Sequence, residues 1–252
     1  MISANTLFHF TNSVDNIKNI LTNHFSPRVC LERIDYFQGE KFDFGLPMVC
    51  FCDIPLSQIG NHIKTYGEFA IGLTKKWALN NGISPVLYLQ SMSQAIGDIN
   101  NFFELAGIKD RHSALHEPNY LISCYELFSY CKAYQGSMWR NGKLKKNIRF
   151  YDEREWRYVP NYRWFIDSYP QAFLDKNEYR DRNIKNRYNE IISEFKIEFT
   201  PNDIKYIIIS KESERNEMIN SINEIKRNFY TLMEIDELKS KIISVEQIRE
   251  DF

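Results

Sequence analysis

The sequence predicts an α+β fold in which a mixed β core is flanked by helices. Strand-like segments lie near both ends of the chain, at residues 6–11 and as a continuous apolar run at residues 206–210. Apolar residues at helical spacing follow each segment. In the second helix, predicted for residues 213–230, they are expected to share one face, made of Met218, Ile222, Ile225 and Phe229.

The middle of the chain interrupts this pattern. Residues 90–137 carry apolar stripes at helical spacing, separated by a charged loop at residues 107–118. We therefore expect a helical insertion in a single α+β domain that spans residues 1–252.

Composition excludes several classes of protein. The formal net charge is -1, so no global field attracts nucleic acid or a membrane surface. The longest apolar runs fall short of the roughly 20 residues of a membrane span, and the first ten residues lack the layout of a secretory signal. Five irregularly spaced cysteines argue against a disulfide framework, so we expect a cytoplasmic protein without a membrane partner.

The most informative stretch is residues 150–160, which has the composition of a strand and ends at a proline. Side chains alternate between the two faces of a strand, so Glu153, Glu155 and Arg157 are expected on one face. The opposite face would carry Arg154, Trp156 and Tyr158, whose two aromatic rings could anchor the strand in a core.

Two acids at this spacing repel each other unless a cation lies between them. One interpretation is a solvated edge strand in which Arg157 neutralises the pair, and the other is a pair of carboxylates that serves a ligand. Both interpretations remain open at the level of sequence.

Polar residues at the start of the chain add a second candidate site. His9 and Thr11 share one face of the first predicted strand, where they could bind a ligand, although a lone histidine is more often a satisfied structural residue. The pair Cys50 and Cys52 lies near His62 but lacks a second ligand pair, so no metal is expected.

A basic segment follows the central strand. Residues 140–188 contain 13 Lys and Arg against 7 Asp and Glu, interleaved with aromatic residues. Basic groups neutralise phosphates and aromatic rings stack on bases, which makes a nucleic-acid contact conceivable. The candidate contacts are Arg154, Arg157, Arg163 and Trp164. The alternative is a solvated helix face with ordinary charge pairs.

Taken in order, an early histidine with a threonine, a tyrosine midway and a late Glu-x-Glu suggest chemistry at a glycosidic bond. Cleavage between nicotinamide and ribose builds positive charge on the sugar, which a carboxylate can stabilise. NAD would then be the substrate. The sequence has no glycine-rich phosphate loop, GxSxG or HExxH motif that would indicate another reaction.

Four segments resemble the AbiGi family. That family is linked to abortive infection, a bacterial defence against phage, and its members are often described as antitoxins. They are the segment around His9, residues 48–56 with the sequence MVCFCDIPL, residues 66–73, and the EREWR sequence of residues 153–157. The resemblance covers most of the chain up to residue 160.

The same skeleton has a more distant resemblance to the ADP-ribosyltransferase fold. This resemblance implies that Glu155 is catalytic with Glu153 as the first acid, and that His9, Thr11 and a tyrosine bind NAD. Tyr66 fits the middle position of the implied His–Tyr–Glu triad, and Tyr36 competes for it.

Two functional hypotheses follow from these resemblances. In the first, the chain is a phage-defence toxin that transfers ADP-ribose from NAD to a nucleic acid or a protein. In the second, it is a non-catalytic antitoxin-like or sensor protein that binds a toxin or a phage component. A metal-dependent nuclease is disfavoured because the acids lack a following lysine on the same strand.

Overall fold

The computed structural model describes residues 4–37, 40–105, 126–140, 143–165, 167–169 and 171–251. The chain falls into two compact units. Unit 1 contains residues 1–25, 50–84 and 196–252, and unit 2 contains residues 26–49 and 85–195. Sheets and helices occur in both, which confirms the α+β class. The expectation of a single domain stays a prediction.

The strands are numbered in chain order: β1 (Thr6–Thr11), β2 (Arg28–Phe37), β3 (Glu40–Cys52), β4 (Phe69–Thr74), β5 (Ser84–Pro85), β6 (Leu87–Leu89), β7 (Cys131–Ala133), β8 (Gln135–Arg140), β9 (Lys143–Arg149), β10 (Glu155–Tyr158), β11 (Ile204–Ile209) and β12 (Ile242–Ser244).

The helices are α1 (Val14–Asn23), α2 (Gly60–Tyr66), α3 (Lys75–Asn80), α4 (Gln94–Leu105), α5 (Lys176–Arg180), α6 (Arg182–Ile192), α7 (Arg215–Lys226), α8 (Leu232–Ser240) and α9 (Val245–Asp251). Short 3-10 helices occur at Leu56–Gln58, Phe150–Glu153, Tyr162–Trp164, Pro201–Asp203 and Glu212–Glu214. Within the described part of the chain, no helix has both the length and the apolar character that crossing a bilayer requires.

Unit 1 is built on a mixed sheet. Strand β4 pairs antiparallel with both β1 and β11, and β12 joins β11 in parallel. The end of β3 pairs antiparallel with β1, where Phe8 faces Cys52. One face of this sheet buries Phe8, Ala70 and Ile208 against residues of α2 and α9.

Unit 2 contains smaller paired elements. Strands β2 and β3 form an antiparallel hairpin, β8 and β9 form another, and β6 pairs with β7 in parallel. One core cluster packs β7 and its neighbours around Phe150. A second cluster is centred on Tyr188 of α6.

The predicted helical insertion is correct only in part. Helix α4 occupies Gln94–Leu105 and a helical turn occurs at residues 126–129, but the chain forms strands β7 and β8 from Cys131 onward. Leu127 is exposed, whereas Cys131, Lys132 and Ala133 are all buried in β7, which pairs with β6, so the predicted helix does not continue through these residues. The predicted charged loop at residues 107–118 lies outside the described residues.

The second of the two helices predicted from apolar spacing also ends earlier than expected. Met218 and Ile222 are buried on α7 as expected, but the helix stops at Lys226. Phe229 therefore lies in the connection to α8 and is 77% exposed, so the prediction that it shares a helical face with Met218 and Ile222 is wrong.

Gly67 fixes the connection between α2 and β4. Its φ of 115° lies in a region that L-residues rarely adopt, and a Cβ atom there would collide with the backbone carbonyl oxygen of Thr11. Only glycine can therefore end α2 this close to the end of β1.

We expect Gly67→Ala to lower the free energy of unfolding by about 2–4 kcal/mol, because strain and a backbone collision add. Gly60→Ala is the matched control, since a Cβ at Gly60 meets no atom within 4 Å. Urea unfolding of both variants tests this, and equal midpoints would contradict the prediction.

Candidate functional site

A buried cation anchors the candidate site in unit 2. Arg157 of β10 is wholly buried, and its guanidinium donates through Nε to Glu155 Oε1 at 2.6 Å. Its Nη2 donates to Glu155 Oε2 at 3.2 Å and to Glu32 Oε2 at 2.9 Å. Its Nη1 donates to the carbonyl oxygen of Ser129 at 2.7 Å. The guanidinium thus binds one carboxylate in the bidentate manner typical of arginine.

A second buried cation lies on the other side of Glu155. Lys132 of β7 donates through Nζ to Glu155 Oε2 at 2.6 Å and to Glu153 Oε2 at 2.8 Å. The same Nζ lies 5.0 Å from the centre of the Phe150 ring. We call these five charged residues, Glu32, Lys132, Glu153, Glu155 and Arg157, the Glu155 network.

The backbone explains how the network forms. Strand β10 covers only Glu155–Tyr158, and its period of two buries Glu155 and Arg157 on one face. The N–H group of Glu155 donates to the hydroxyl oxygen of Tyr88 at 2.8 Å, and its carbonyl accepts from Val86 at 3.0 Å. The N–H and carbonyl groups of Glu155 are therefore both held by hydrogen bonds.

Two sequence-based expectations for this segment are wrong. Residues Phe150–Glu153 form a 3-10 turn and Arg154 has a left-handed backbone with φ of 45°, so Glu153 reaches the network from a turn. The buried face of β10 carries the charged pair, whereas Trp156 and Tyr158 are half-buried. Mutual neutralisation, together with Lys132, allows the charged face to be the inner one.

Glu155 and Lys132 are both ionised near neutral pH. Burial alone raises the pKa of Glu155, but the charges and hydrogen bonds of Arg157 and Lys132 outweigh it and hold the pKa well below its ordinary value. Burial alone lowers the pKa of Lys132, and the carboxylates of Glu155, Glu32 and Glu153 raise it well above its ordinary value.

A small cavity borders the network. Its volume is about 40 Å³, and Glu32 and Lys132 line it together with Arg33 and Asp43. Arg33 Nε and Asp43 Oδ1 are 3.9 Å apart and have no hydrogen-bond partner among the described residues. Pockets that enclose small-molecule ligands hold roughly 300–1,000 Å³, so this cavity has room for water but not for a dinucleotide.

His9 occupies a different environment in unit 1. Its Nδ1 lies 2.8 Å from the carbonyl oxygen of Cys50, so Nδ1 carries the proton and donates it, because a carbonyl oxygen can only accept. The imidazole contacts Phe25 and Phe51 edge-on, with distances between ring centres of 5.2 and 5.8 Å. Burial lowers the pKa of the imidazole, and the bond to Cys50 raises it by less. The imidazole is therefore neutral at pH 7.

The other predicted NAD contacts have structural partners. Thr11 is buried, and its hydroxyl oxygen accepts from Asn16 Nδ2 at 2.6 Å. Tyr66 is the last residue of α2, with its ring 5.1 Å from that of His62. The backbone of Tyr36 belongs to β2, and its side chain lies outside the described residues. NAD binding by any of them stays a prediction.

The predicted nucleic-acid contacts differ in exposure. Arg163 and Trp164 are exposed, and the Trp164 ring lies 5.7 Å from that of Phe195. Arg154 is half-buried in its left-handed turn. Arg157 is wholly buried and bonded inside the Glu155 network, so its guanidinium has no surface to offer a phosphate, which corrects its predicted role.

Lys132 and Glu32 are not among the site residues that the sequence predicts. Lys132 lies in a short apolar strand 21 residues before Glu153 along the chain, and Glu32 lies in the β2–β3 hairpin. One signal for a second cation was available: Arg157 carries a single positive charge, which cannot neutralise two neighbouring acids.

Comparison with known proteins places the chain in a family. The family model described as "Putative abortive phage resistance protein AbiGi, antitoxin" matches residues 23–210. The chain belongs to the AbiGi family. A relative from Lactococcus lactis subsp. cremoris, "Abortive phage resistance protein AbiGi", is 33% identical over an alignment of 253 positions. The alignment covers 90% of this chain and 99% of the relative. This confirms the resemblance read from the sequence and supports a role in abortive phage resistance. No solved structure matches the chain.

We expect Glu155→Gln to lower the free energy of unfolding by roughly 3–5 kcal/mol, because it leaves the buried Arg157 and Lys132 undercompensated. Glu217→Gln is the control, since Glu217 pairs with Lys18 at an exposed site and should contribute less than about 1 kcal/mol. Urea unfolding at pH 7 measures both. A loss for Glu155→Gln as small as that of the control would show that the network does not stabilise the fold.

We expect the neutral His9 to make unfolding depend on pH. Its folded pKa is lower than the ordinary 6.5, so the unfolded chain binds more protons and stability falls as the pH drops below 6.5. His9→Gln keeps a donor for the Cys50 carbonyl but cannot titrate. Its stability should fall less than that of the wild type between pH 7.5 and 5. Parallel curves would contradict the assignment. His24, whose pKa is also lowered, contributes equally to both curves.

Proposed function

We propose that this AbiGi-family chain acts in phage resistance as a non-catalytic antitoxin, a protein that binds a toxin and holds it inactive. The observation that carries the proposal is the complete engagement of the Glu155 carboxylate. Oε1 accepts from Arg157, and Oε2 accepts from both Lys132 and Arg157. The residue best suited by sequence to be the catalytic acid is thus bound on both oxygens by the protein itself.

Catalysis by a carboxylate requires an oxygen directed at the reacting group. A carboxylate that stabilises an oxocarbenium-like sugar acts by its negative charge close to that sugar. In the Glu155 network two cations already compensate that charge. The neighbouring cavity of about 40 Å³ is far smaller than a dinucleotide. These features suit a residue that stabilises a scaffold, and a scaffold is what a binding protein needs.

The family description supports the same proposal, because it includes the word antitoxin. An antitoxin acts by affinity rather than by turnover, so its function requires a stable surface and no reactive group. A toxin is accordingly the partner that we propose.

ADP-ribosyl transfer from NAD to a nucleic acid or protein is the second candidate. One observation favours it: the pKa of Glu155 is held low, so the carboxylate is ionised at neutral pH, as stabilisation of a cationic transition state requires. In that case the fold would resemble an ADP-ribosyltransferase, with Glu153 as the first acid beside Glu155. Substrate binding would have to open the Glu155 network.

The antitoxin proposal predicts neutralisation without NAD chemistry. The purified products of the two genes flanking the one that encodes this chain are the candidate toxins. We expect one of them to arrest growth when expressed alone, to be neutralised by co-expression of this chain, and to form a stable complex with it in size-exclusion chromatography. Calorimetry with NAD should give no binding heat.

The opposite outcome is equally specific. Micromolar NAD affinity together with transfer of label from NAD to a macromolecule would replace the antitoxin proposal with the transferase. Glu153→Gln is the variant for that test, because it leaves Glu155 paired with both cations. Loss of label transfer in a variant that unfolds like the wild type would assign Glu153 to the reaction.

A further inference from the structure

A basic pair of strands in unit 2 lies outside the Glu155 network. Strands β8 and β9 pair antiparallel, from Gln135 opposite Arg149 to Arg140 opposite Lys143. Residues 135–149 contain five lysines and arginines and no aspartate or glutamate, although the whole chain has a formal net charge of -1. We call β8 and β9 together the basic ribbon.

Three lysines of the basic ribbon carry charges that no acid compensates. Lys143, Lys145 and Lys146 are exposed, and none of them forms an ion pair with any residue that the structure describes. Arg149 differs, because it pairs with Asp152 at 2.8 Å, where both side chains are more than half exposed. The lysines are therefore the groups of the ribbon that attract an anion from solution.

A β-bulge explains why neighbouring lysines of β9 both reach the solvent. Lys146 and Asn147 together oppose the single residue Ser137, so the alternation of β9 is interrupted after Lys145. Asn147 accordingly has a left-handed backbone with φ of 56°. Lys143 and Lys145 keep the period of two and share one face, about 7 Å apart along the strand. The strand thus presents a row of ammonium groups.

Such a row has a cost in the free protein. Like charges that lie close together on a sheet repel each other and destabilise it. An acid within residues 135–149 would relieve the repulsion, yet the sequence places none there. Uncompensated basic residues grouped on one element are typical of a surface that binds a polyanion.

Tyrosine rings adjoin the start of the basic ribbon. The N–H of Tyr151 donates to the carbonyl oxygen of Tyr134 at 3.3 Å, and the two rings are inclined by 30° with 5.5 Å between their centres. Tyr88 contacts the Tyr151 ring edge-on, with 5.2 Å between ring centres. Tyr151 is nevertheless 53% exposed. Its ring can therefore stack on a flat group while the other two tyrosines hold it in place.

The combination of lysines and an exposed ring selects among polyanions. Lysine ammonium groups neutralise phosphates, and every nucleobase has a flat face for an aromatic ring, so a single-stranded nucleic acid uses both features. In a duplex the bases stack on one another, whereas unpaired bases can be splayed out onto an aromatic side chain. An anionic membrane surface offers phosphates but no flat ring.

We infer that the basic ribbon and Tyr151 form a binding surface for single-stranded nucleic acid. Lys143, Lys145 and Lys146 pair with phosphates, and Tyr151 stacks on a base beside them. These groups read no base edge, so binding depends little on nucleotide sequence. The inference is independent of the antitoxin proposal, because it requires neither a toxin nor NAD.

Fluorescence anisotropy with labelled oligo-dT and oligo-U of about 20 nucleotides tests the inference. The triple variant Lys143→Gln with Lys145→Gln and Lys146→Gln should bind about tenfold more weakly, or weaker still, at about 50 mM salt. Its plot of log affinity against log salt concentration should be shallower by about 2, since each neutralised phosphate of a single strand contributes about 0.7 to the slope. The three side chains are exposed, so their replacement leaves the fold intact.

The control removes the same charge elsewhere. Lys64→Gln with Lys76→Gln and Lys205→Gln changes three exposed lysines of unit 1 and should bind within about twofold of the wild type. Tyr151→Ala should weaken binding about fivefold or more without changing the salt dependence, because a stacked ring carries no charge. Tyr151→Phe keeps the ring and should bind within about twofold of the wild type.

Several results would overturn the inference. One is a wild type that binds neither oligonucleotide at about 50 mM salt, and another is equal affinity of the two triple variants. Tighter binding of a duplex of the same length would overturn the choice of a single strand. Binding to phosphatidylglycerol vesicles without binding to the oligonucleotides would assign the ribbon to a membrane surface instead. None of these outcomes decides the antitoxin proposal, which depends on the complex with a flanking-gene product.

Discussion

The buried contact between Arg157 and Glu155 is the interaction on which unit 2 depends. A guanidinium without any exposed surface is tolerable only if every neighbour compensates for its lost hydration. Glu155, Glu32 and the Ser129 carbonyl provide that compensation from three separate parts of the chain. Strand β10, the β2–β3 hairpin and the turn before β7 must therefore be in place together, which gives the network a specifying role as well as a stabilising one.

How far the sequence predicts this structure depends on the range of the interactions involved. Alternation within β10 is local, so the shared face of Glu155 and Arg157 follows from the residues themselves. Which face is buried is not local, because it depends on Lys132 and Glu32. Residues 150–160 indicate that a second cation is needed, but not which residue supplies it. Alternation alone leaves open which face is the inner one, and the contacts with Lys132 and Glu32 show that it is the charged face.

The same dependence on non-local interactions explains why the sequence does not place the ends of helices and strands correctly. Helical spacing in residues 213–230 predicts α7 correctly, but the same spacing extends to Phe229 after the helix has stopped. Likewise, Cys131–Ala133 fall within the region of residues 90–137 that the sequence predicts to be helical, and pairing with β6 makes them a strand. The motifs around His9 and Glu155 identified the family, whereas the environments of those residues came only from the structure.

The order of segments in unit 1 has a consequence for biosynthesis. Strand β4 takes β11 as one of its two neighbours, yet β11 follows it by about 130 residues of synthesis. Until β11 has been synthesised, the edge of β4 that it covers lacks this partner, and unpaired strand edges promote aggregation. Products that end before residue 204 lack β11 and β12 and therefore cannot complete the sheet of unit 1.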